Sequence, residues 1–499
     1  MNQTLEKFKE YLKEVRQYDL ASTLLTWDLQ TMTPPKGLES KMDAIGFFST
    51  KSFRLLTAAE YGAMLEELSA PEQFNELDTA MQITVKRYLR EYRRFKRVPE
   101  DFYTEMVTTS ARSEKAWEKA REEKDFSLFL PYLDKMISLK KQYINYMEPD
   151  EDPYEVLLDT YEEGMDSVTI EKLFTELKEG LVPLLAKIQA SPQPDLSALA
   201  GSYDIDAQKK VQNMLLDYIG FDFEAGAVAQ SAHPFTMDLC PGDTRVTNHY
   251  YETQPISSIF SAIHEGGHAI FGQNIDPVYE GTAVEQVNLM GLHESQSRFY
   301  ENILGRNKNF WVPIYAKLGE LLPQFQTIPL DVFYRAINDV HPSFIRTEAD
   351  EVTYCLHIIL RFEMEKAIFK DHVPTEKLPA LWNDKMEELL GIRPSNDAEG
   401  ILQDMHWSDG SFGYFPSYLL GNIYDGMFLE QIEKELGSLD TILAEGRIRE
   451  ITAWLNEKIH KHGSLYNSRE VLQRVCGREI SAKPLLDYFN KKYSEIYGF

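Results

Sequence analysis

Apolar residues recur along most of this chain at intervals of three and four, the spacing that lays a single stripe along a helix. Leu5 to Tyr18, Ala80 to Phe95, Glu100 to Lys124 and Leu128 to Met147 each carry such a stripe beneath a charged outer face. Segments 170–189, 314–322, 356–370, 439–459 and 482–497 repeat it. Strand-like alternation is scarce, and a small sheet is expected only around His233 to Tyr251. The pattern therefore predicts a mostly helical protein. Glu148 to Pro153 and Ala190 to Asp195, both acidic or proline-punctuated, read as surface loops. Neither is long enough to link independent domains, and the chain holds no internal repeat, heptad run or low-complexity tract.

One stripe frames the most informative residues. Ile256, Ile259, Phe260, Ile263, Ile270 and Phe271 surround His264-Glu265-Gly266-Gly267-His268, an H-E-x-x-H sequence. On a helix, two histidines four positions apart share a face and can grip one metal ion. Glu265 stands beside them, placed to take a proton from a water on that metal. Ordinary packed histidines would not explain the two glycines. Each costs about 1 kcal/mol relative to alanine in a helix interior, so a backbone or a substrate is expected to come close.

Two histidines leave a catalytic metal site incomplete; a third protein ligand and an open position are needed. Met290 to Leu304 carries Leu292, Phe299, Ile303 and Leu304 and suits a second helix presenting Glu294, in His293-Glu294-Ser295-Gln296-Ser297. Adjacent helical residues point about 100° apart, so only one of His293 and Glu294 faces the metal. The order of the motifs favours Glu294, which gives the two-His, one-Glu set.

At this point the chain resembles the carboxypeptidase Taq family of metallocarboxypeptidases over nearly its whole length. The resemblance rests on Trp27-Asp28, Thr31 to Pro34, His233-Pro234-Phe235 and Asp243-Thr244-Arg245-Val246-Thr247 (D-x-R-x-T). It continues after the two metal motifs with Ile345 to Asp350 (I-R-x-x-A-D), Gly400 to Trp407 (G-x-x-Q-D-x-H-W) and Gly413 to Pro416. It implies one domain over 1–499. Residues 1–200 would form a helical wall, residues 201–499 the catalytic part, with a small sheet beside the HExxH helix and helices lining a deep substrate groove. It also implies removal of single residues from peptide C-termini, with broad specificity, by a homodimer that uses zinc, cobalt being able to take the same ligands.

The residue types agree with that implication. A free α-carboxylate calls for a fixed, forked cation, and Arg346 is the first choice. Arg245 helps directly, or only braces its loop through Asp243. By similarity to other peptidases of this type, Tyr418 and His406 are assigned to the developing oxyanion, with Tyr414 as the alternative tyrosine, and His233 to substrate positioning. Two rivals stay open: an oligopeptidase or dipeptidyl carboxypeptidase of related helical architecture, and a peptide-binding relative without turnover.

Composition narrows the partners. Among 499 residues, 79 acidic against 52 basic side chains give a formal charge of −27, which argues against nucleic acid. No apolar run is long enough to span a membrane. Cys240, Cys355 and Cys476 are scattered, as expected of free thiols in a reducing cytoplasm. The stretch from Met1 to Lys7 lacks the apolar core of a signal peptide, which also fits a cytoplasmic enzyme acting on peptides.

Overall fold

The computed structural model describes residues 3–286 and 289–499, so Met1 and Asn2 lie outside the described residues. Helices occupy the segments with a periodic apolar stripe: Thr79–Lys96, Glu100–Glu123, Leu130–Met147, Ser167–Gln189, Glu351–Phe369 and Lys483–Tyr497 among them. Two boundaries differ from the expected ones. The first helix continues past Tyr18 to Thr31, because neither glycine nor proline interrupts residues 19–31 and Pro34 is the first to stop it. Segment 439–459 divides into Leu439–Ala444 and Ile448–Lys458, since Gly446 turns the chain through a left-handed φ of 72°. A further helix, Leu38–Leu56, keeps its apolar residues near the surface: Ser52 is its one buried residue, while Met42, Phe47 and Phe53 face out.

Apolar burial is divided between two large clusters. Phe8, Leu12, Tyr61, Leu65, Val85 and Leu89 tie three N-terminal helices together. A much larger core runs from Trp117 to Tyr497 and holds the motif-bearing elements. The sheet has three strands in the order β1 (Gly226–Gln230), β3 (Asp243–Asn248), β2 (Thr236–Cys240). β3 pairs parallel with β1 and antiparallel with β2. It begins earlier than His233, because Gly226-Ala-Val-Ala-Gln, a run of small residues, gives no alternation from which a strand could be read.

The HExxH helix, Pro255–Gln273, is wrapped on several faces: β2 and β3 on one, helix Ile205–Ile219 on another and the Glu294 helix, Met290–Arg298, on a third. This explains its two glycines. A Cβ on Gly266 would lie 2.6 Å from Ile219 Cδ1. One on Gly267 would lie 2.7 Å from the Gln296 carbonyl oxygen and 2.8 Å from Ser297 Cα. Backbone meets backbone there. The Glu294 helix is pressed from its other side by helix Phe415–Leu436, where a Cβ on Gly421 would sit 2.9 Å from Gly291 O and from Ser295 N. Beyond Arg298 the Glu294 helix widens into a π-helical stretch, Phe299–Gly305.

These contacts set a stability test. Gly267→Ala should destabilise the protein by about 1–3 kcal/mol, because a backbone rather than a flexible side chain must yield. Gly46→Ala, in an exposed helix with nothing within 4 Å of the new carbon, should stabilise it by about 0.5–1 kcal/mol. Urea denaturation of the two variants reads the opposite signs.

Candidate active site

The Gly267 contact aligns the HExxH and Glu294 helices so that three ligand atoms converge. His264 Nε2 lies 3.9 Å and His268 Nε2 3.5 Å from the same oxygen, Glu294 Oε2. Ligand atoms of the three residues all fall within 4.8 Å of one another. His264 and Glu294 are held in place by hydrogen bonds, whereas His268 Nδ1 is buried without a partner among the described residues. His264 Nδ1 meets Glu301 Oε2 at 2.8 Å, which turns Nε2 toward the centre. Glu294 receives Arg298 Nε on Oε1 at 2.8 Å and the Ser297 hydroxyl on Oε2 at 3.2 Å. His293 stacks on His268 with ring centroids 4.4 Å apart and borders Phe271, inside the core rather than within the three-residue set.

The donor set suits a divalent cation. Burial would depress the His264 imidazole, yet the Glu301 hydrogen bond and the charges of Glu294, Glu301 and Glu265 outweigh it and raise it to about 9. The centre is therefore short of positive charge. Two imidazoles and a carboxylate, with further carboxylates around them, match a zinc-type site with one open position.

Glu265 is buried beside its two histidines. The hydroxyl of Thr236, on β2, donates to its Oε2 at 2.6 Å and to its backbone carbonyl at 3.0 Å. The sheet thus fixes the carboxylate. No lysine or arginine pairs with it among the described residues.

A second group stands against this centre. Arg298, which grips Glu294, lies over the Tyr354 ring at 4.1 Å, and the Tyr354 hydroxyl accepts from Arg346 Nη1 at 3.1 Å. Arg346 also donates from Nε to Asp404 Oδ1 at 2.9 Å, with Nη2 2.8 Å from the same oxygen. The other Asp404 oxygen accepts from Arg361 Nε at 2.7 Å. Burial alone would raise Asp404, but the two guanidiniums hold it well below the usual carboxylate range. Tyr418 lies under the Arg346 guanidinium at 5.1 Å, and Tyr414 meets Tyr418 edge-on at 5.0 Å. His406 stacks on Tyr414 at 5.6 Å and on Phe415 at 4.5 Å. Burial pushes its imidazole down to about 4, so it is neutral at neutral pH, and its Nδ1 is buried without a hydrogen-bond partner among the described residues.

Chain comparisons agree with this geometry. A family profile described as carboxypeptidase Taq (M32) metallopeptidase matches residues 7–493. The chain belongs to that family. It is 43% identical to carboxypeptidase 1 of Bacillus subtilis (strain 168) across 99% of both chains. It is 36% identical to thermostable carboxypeptidase 1 of Thermus thermophilus across 98% of both. The solved structure of the M32 carboxypeptidase from Deinococcus radiodurans R1 superposes with a TM-score of 0.96 at 30% identity, covering all of each chain. The protein is a metallocarboxypeptidase, a hydrolase of peptide bonds, and its family implies a divalent metal. No helix of the described residues is long and apolar enough to cross a membrane.

The remaining two sequence-derived residues make no hydrogen bond or ion pair with either group among the described residues. Arg245, on β3, is paired bidentately with Asp243 (2.8 and 2.7 Å) and lies over the Trp27 ring at 5.5 Å. Trp27 in turn meets Phe235 edge-on at 5.6 Å, so two of the quoted motifs pack together. His233 is exposed on the β1–β2 connection, its carbonyl accepting from Ser231 Oγ at 2.5 Å.

Several residues that shape the site escaped sequence reasoning: Glu301, Arg298, Thr236, Tyr354, Asp404 and Arg361. Glu301 had a signal, since a residue seven positions after Glu294 returns to the same helical face. Glu301→Gln should weaken metal binding about 10- to 100-fold, as loss of a histidine-orienting carboxylate does. Competition against a chelator of known affinity measures it; unchanged affinity would mean that Glu301 does not orient His264.

Proposed function

We propose that this metallocarboxypeptidase releases single residues from the free C-terminus of peptides, with broad specificity, using zinc or cobalt held by His264, His268 and Glu294. The observation that carries the reading is the convergence of two imidazole Nε2 atoms on Glu294 Oε2, with Glu265 alongside and a buried arginine beyond it. A divalent cation bound there supplies Lewis acidity, lowering the pKa of a water and polarising the scissile carbonyl.

The chain's own residues do the rest. With Oε2 steadied by Thr236, Glu265 takes the proton of the attacking water through Oε1 and passes it to the leaving amine. Negative charge then grows on the carbonyl oxygen. The Tyr418 hydroxyl and the neutral His406 imidazole donate to it, with Tyr414 as the alternative tyrosine. Arg346 anchors the carboxylate of the departing residue. Its contacts with Asp404 and Tyr354 use three of its five N–H groups and leave one on each terminal nitrogen, enough for a carboxylate fork. Arg245 and His233 serve the peptide further out, Arg245 by bracing β3 through Asp243. A homodimer in the cytoplasm completes the proposal.

One peptide, supplied as free acid and as C-terminal amide and followed by mass spectrometry, tests it. The metal-loaded protein should remove residues singly from the free acid alone, EDTA should stop it, and Glu265→Gln should keep the metal while losing about 100- to 10,000-fold in kcat. Dipeptide release or equal attack on the amide would contradict the carboxylate anchor.

A further inference from the structure

A cavity of about 270 Å3 opens between helices Thr79–Lys96, Leu130–Met147 and Pro153–Tyr161, outside the residues considered so far. Its lining is rich in cations. Four cations line it, Arg87, Arg90, Arg94 and Lys140, against three carboxylates, in a protein of formal charge −27. The arginines are spoken for. Asp159 pairs with Arg90 and lies 3.8 Å from Arg94, whose Nε also meets Glu148 at 2.7 Å. Glu163 lies 3.5 Å from Arg87 and 3.8 Å from Arg90.

Lys140 is different. It has no hydrogen bond and no ion pair among the described residues; the Tyr143 ring, 5.8 Å from its ammonium, is its one aromatic contact. Burial lowers its pKa, and the charge of Asp409 opposes that. Its side chain passes over Gly410, where a Cβ would meet Lys140 Cε at 2.5 Å. A half-buried cation lining a cavity, without a hydrogen bond or close ion pair among the described residues, offers a place for an anion.

The cavity also adjoins the catalytic wall. Tyr161 lines it and meets Tyr414 edge-on at 5.0 Å, while Gly410 lies on the loop between His406 and Tyr414. Glu162, the next residue, reaches the start of the Glu294 helix, its Oε2 accepting from the Gly291 N–H at 2.9 Å. Tyr161 is therefore shared between the cavity lining and the aromatic group around Tyr414.

We propose that this cavity is a substrate subsite that receives an acidic side chain lying N-terminal to the scissile bond, with the Lys140 ammonium as its partner. The inference rests on the carboxypeptidase reading, since the occupant is part of the peptide being shortened. It makes the enzyme selective upstream of the cleaved bond, independently of the pocket for the departing residue.

The test compares free-acid peptides carrying either Glu or Gln at one of three positions before the scissile bond. At one position the wild-type protein should favour Glu by at least ~3-fold in kcat/KM, the advantage expected of one partly buried ion pair. Lys140→Met should abolish that preference and leave the Gln peptide unchanged; Lys140→Arg should restore it. The same pairs are also titrated against Glu265→Gln protein, where binding needs no turnover. A Glu preference in binding supports the subsite even if chemistry fails, so the two readings fail separately. Equal Glu and Gln values at all three positions in wild type, or the same ratio in Lys140→Met, would overturn the proposal.

Discussion

The approach of two helix backbones at Gly267 is the constraint on which the rest of this structure depends. The HExxH helix can deliver His264 and His268 only if Glu294 arrives opposite them, and Glu294 sits on a helix that passes within 2.7–2.8 Å of where a Gly267 Cβ would stand. Gly421 repeats the device on the far side, so the Glu294 helix is held between two neighbours at backbone distance. Interiors packed this closely do not deform gradually, and ligand spacing is fixed by main chain rather than by flexible side chains. A preorganised site follows.

Three glutamates crowd this centre, and their neighbours separate their tasks. Glu294 is gripped by Arg298 and Ser297, which suits the proposed ligand. Glu301 faces His264 and lies 3.5 Å from Arg306, the position of a group that orients a ligand. Among the described residues the Glu265 side chain meets only the Thr236 hydroxyl, which suits the proposed proton carrier. Beside this centre Asp404 does for Arg346 what Glu301 does for His264: shared with Arg361, it fixes a guanidinium with two N–H groups unspent among the described residues.

How much of this was legible in the sequence follows from which interactions are local. The helical periodicities and the proposed histidine pair could be read because each depends on spacing within one helix, while Glu294 was read from the order of the motifs. The two glycines announced a close approach without saying to what; the answer, helices Ile205–Ile219 and Met290–Arg298, is tertiary. Thr236 and Glu265 are 29 positions apart, and Arg346 and Asp404 are 58, so no periodicity couples them. β1 escaped because small residues in a strand leave no alternation. The first helix was cut short because its stripe fades after Tyr18, although nothing there breaks a helix. Lys140 carries no motif at all; it stands out only when its neighbours prove already paired.

The most direct test of the account is X-ray absorption spectroscopy of the cobalt- or zinc-loaded protein, with metal content measured alongside. One ion per chain, bound by two imidazoles and carboxylate or water oxygens, is the predicted result, falling to one imidazole in His268→Ala. A first shell with a single imidazole in the unaltered protein, or one containing sulfur, would contradict the claim that the HExxH and Glu294 helices together build the catalytic centre.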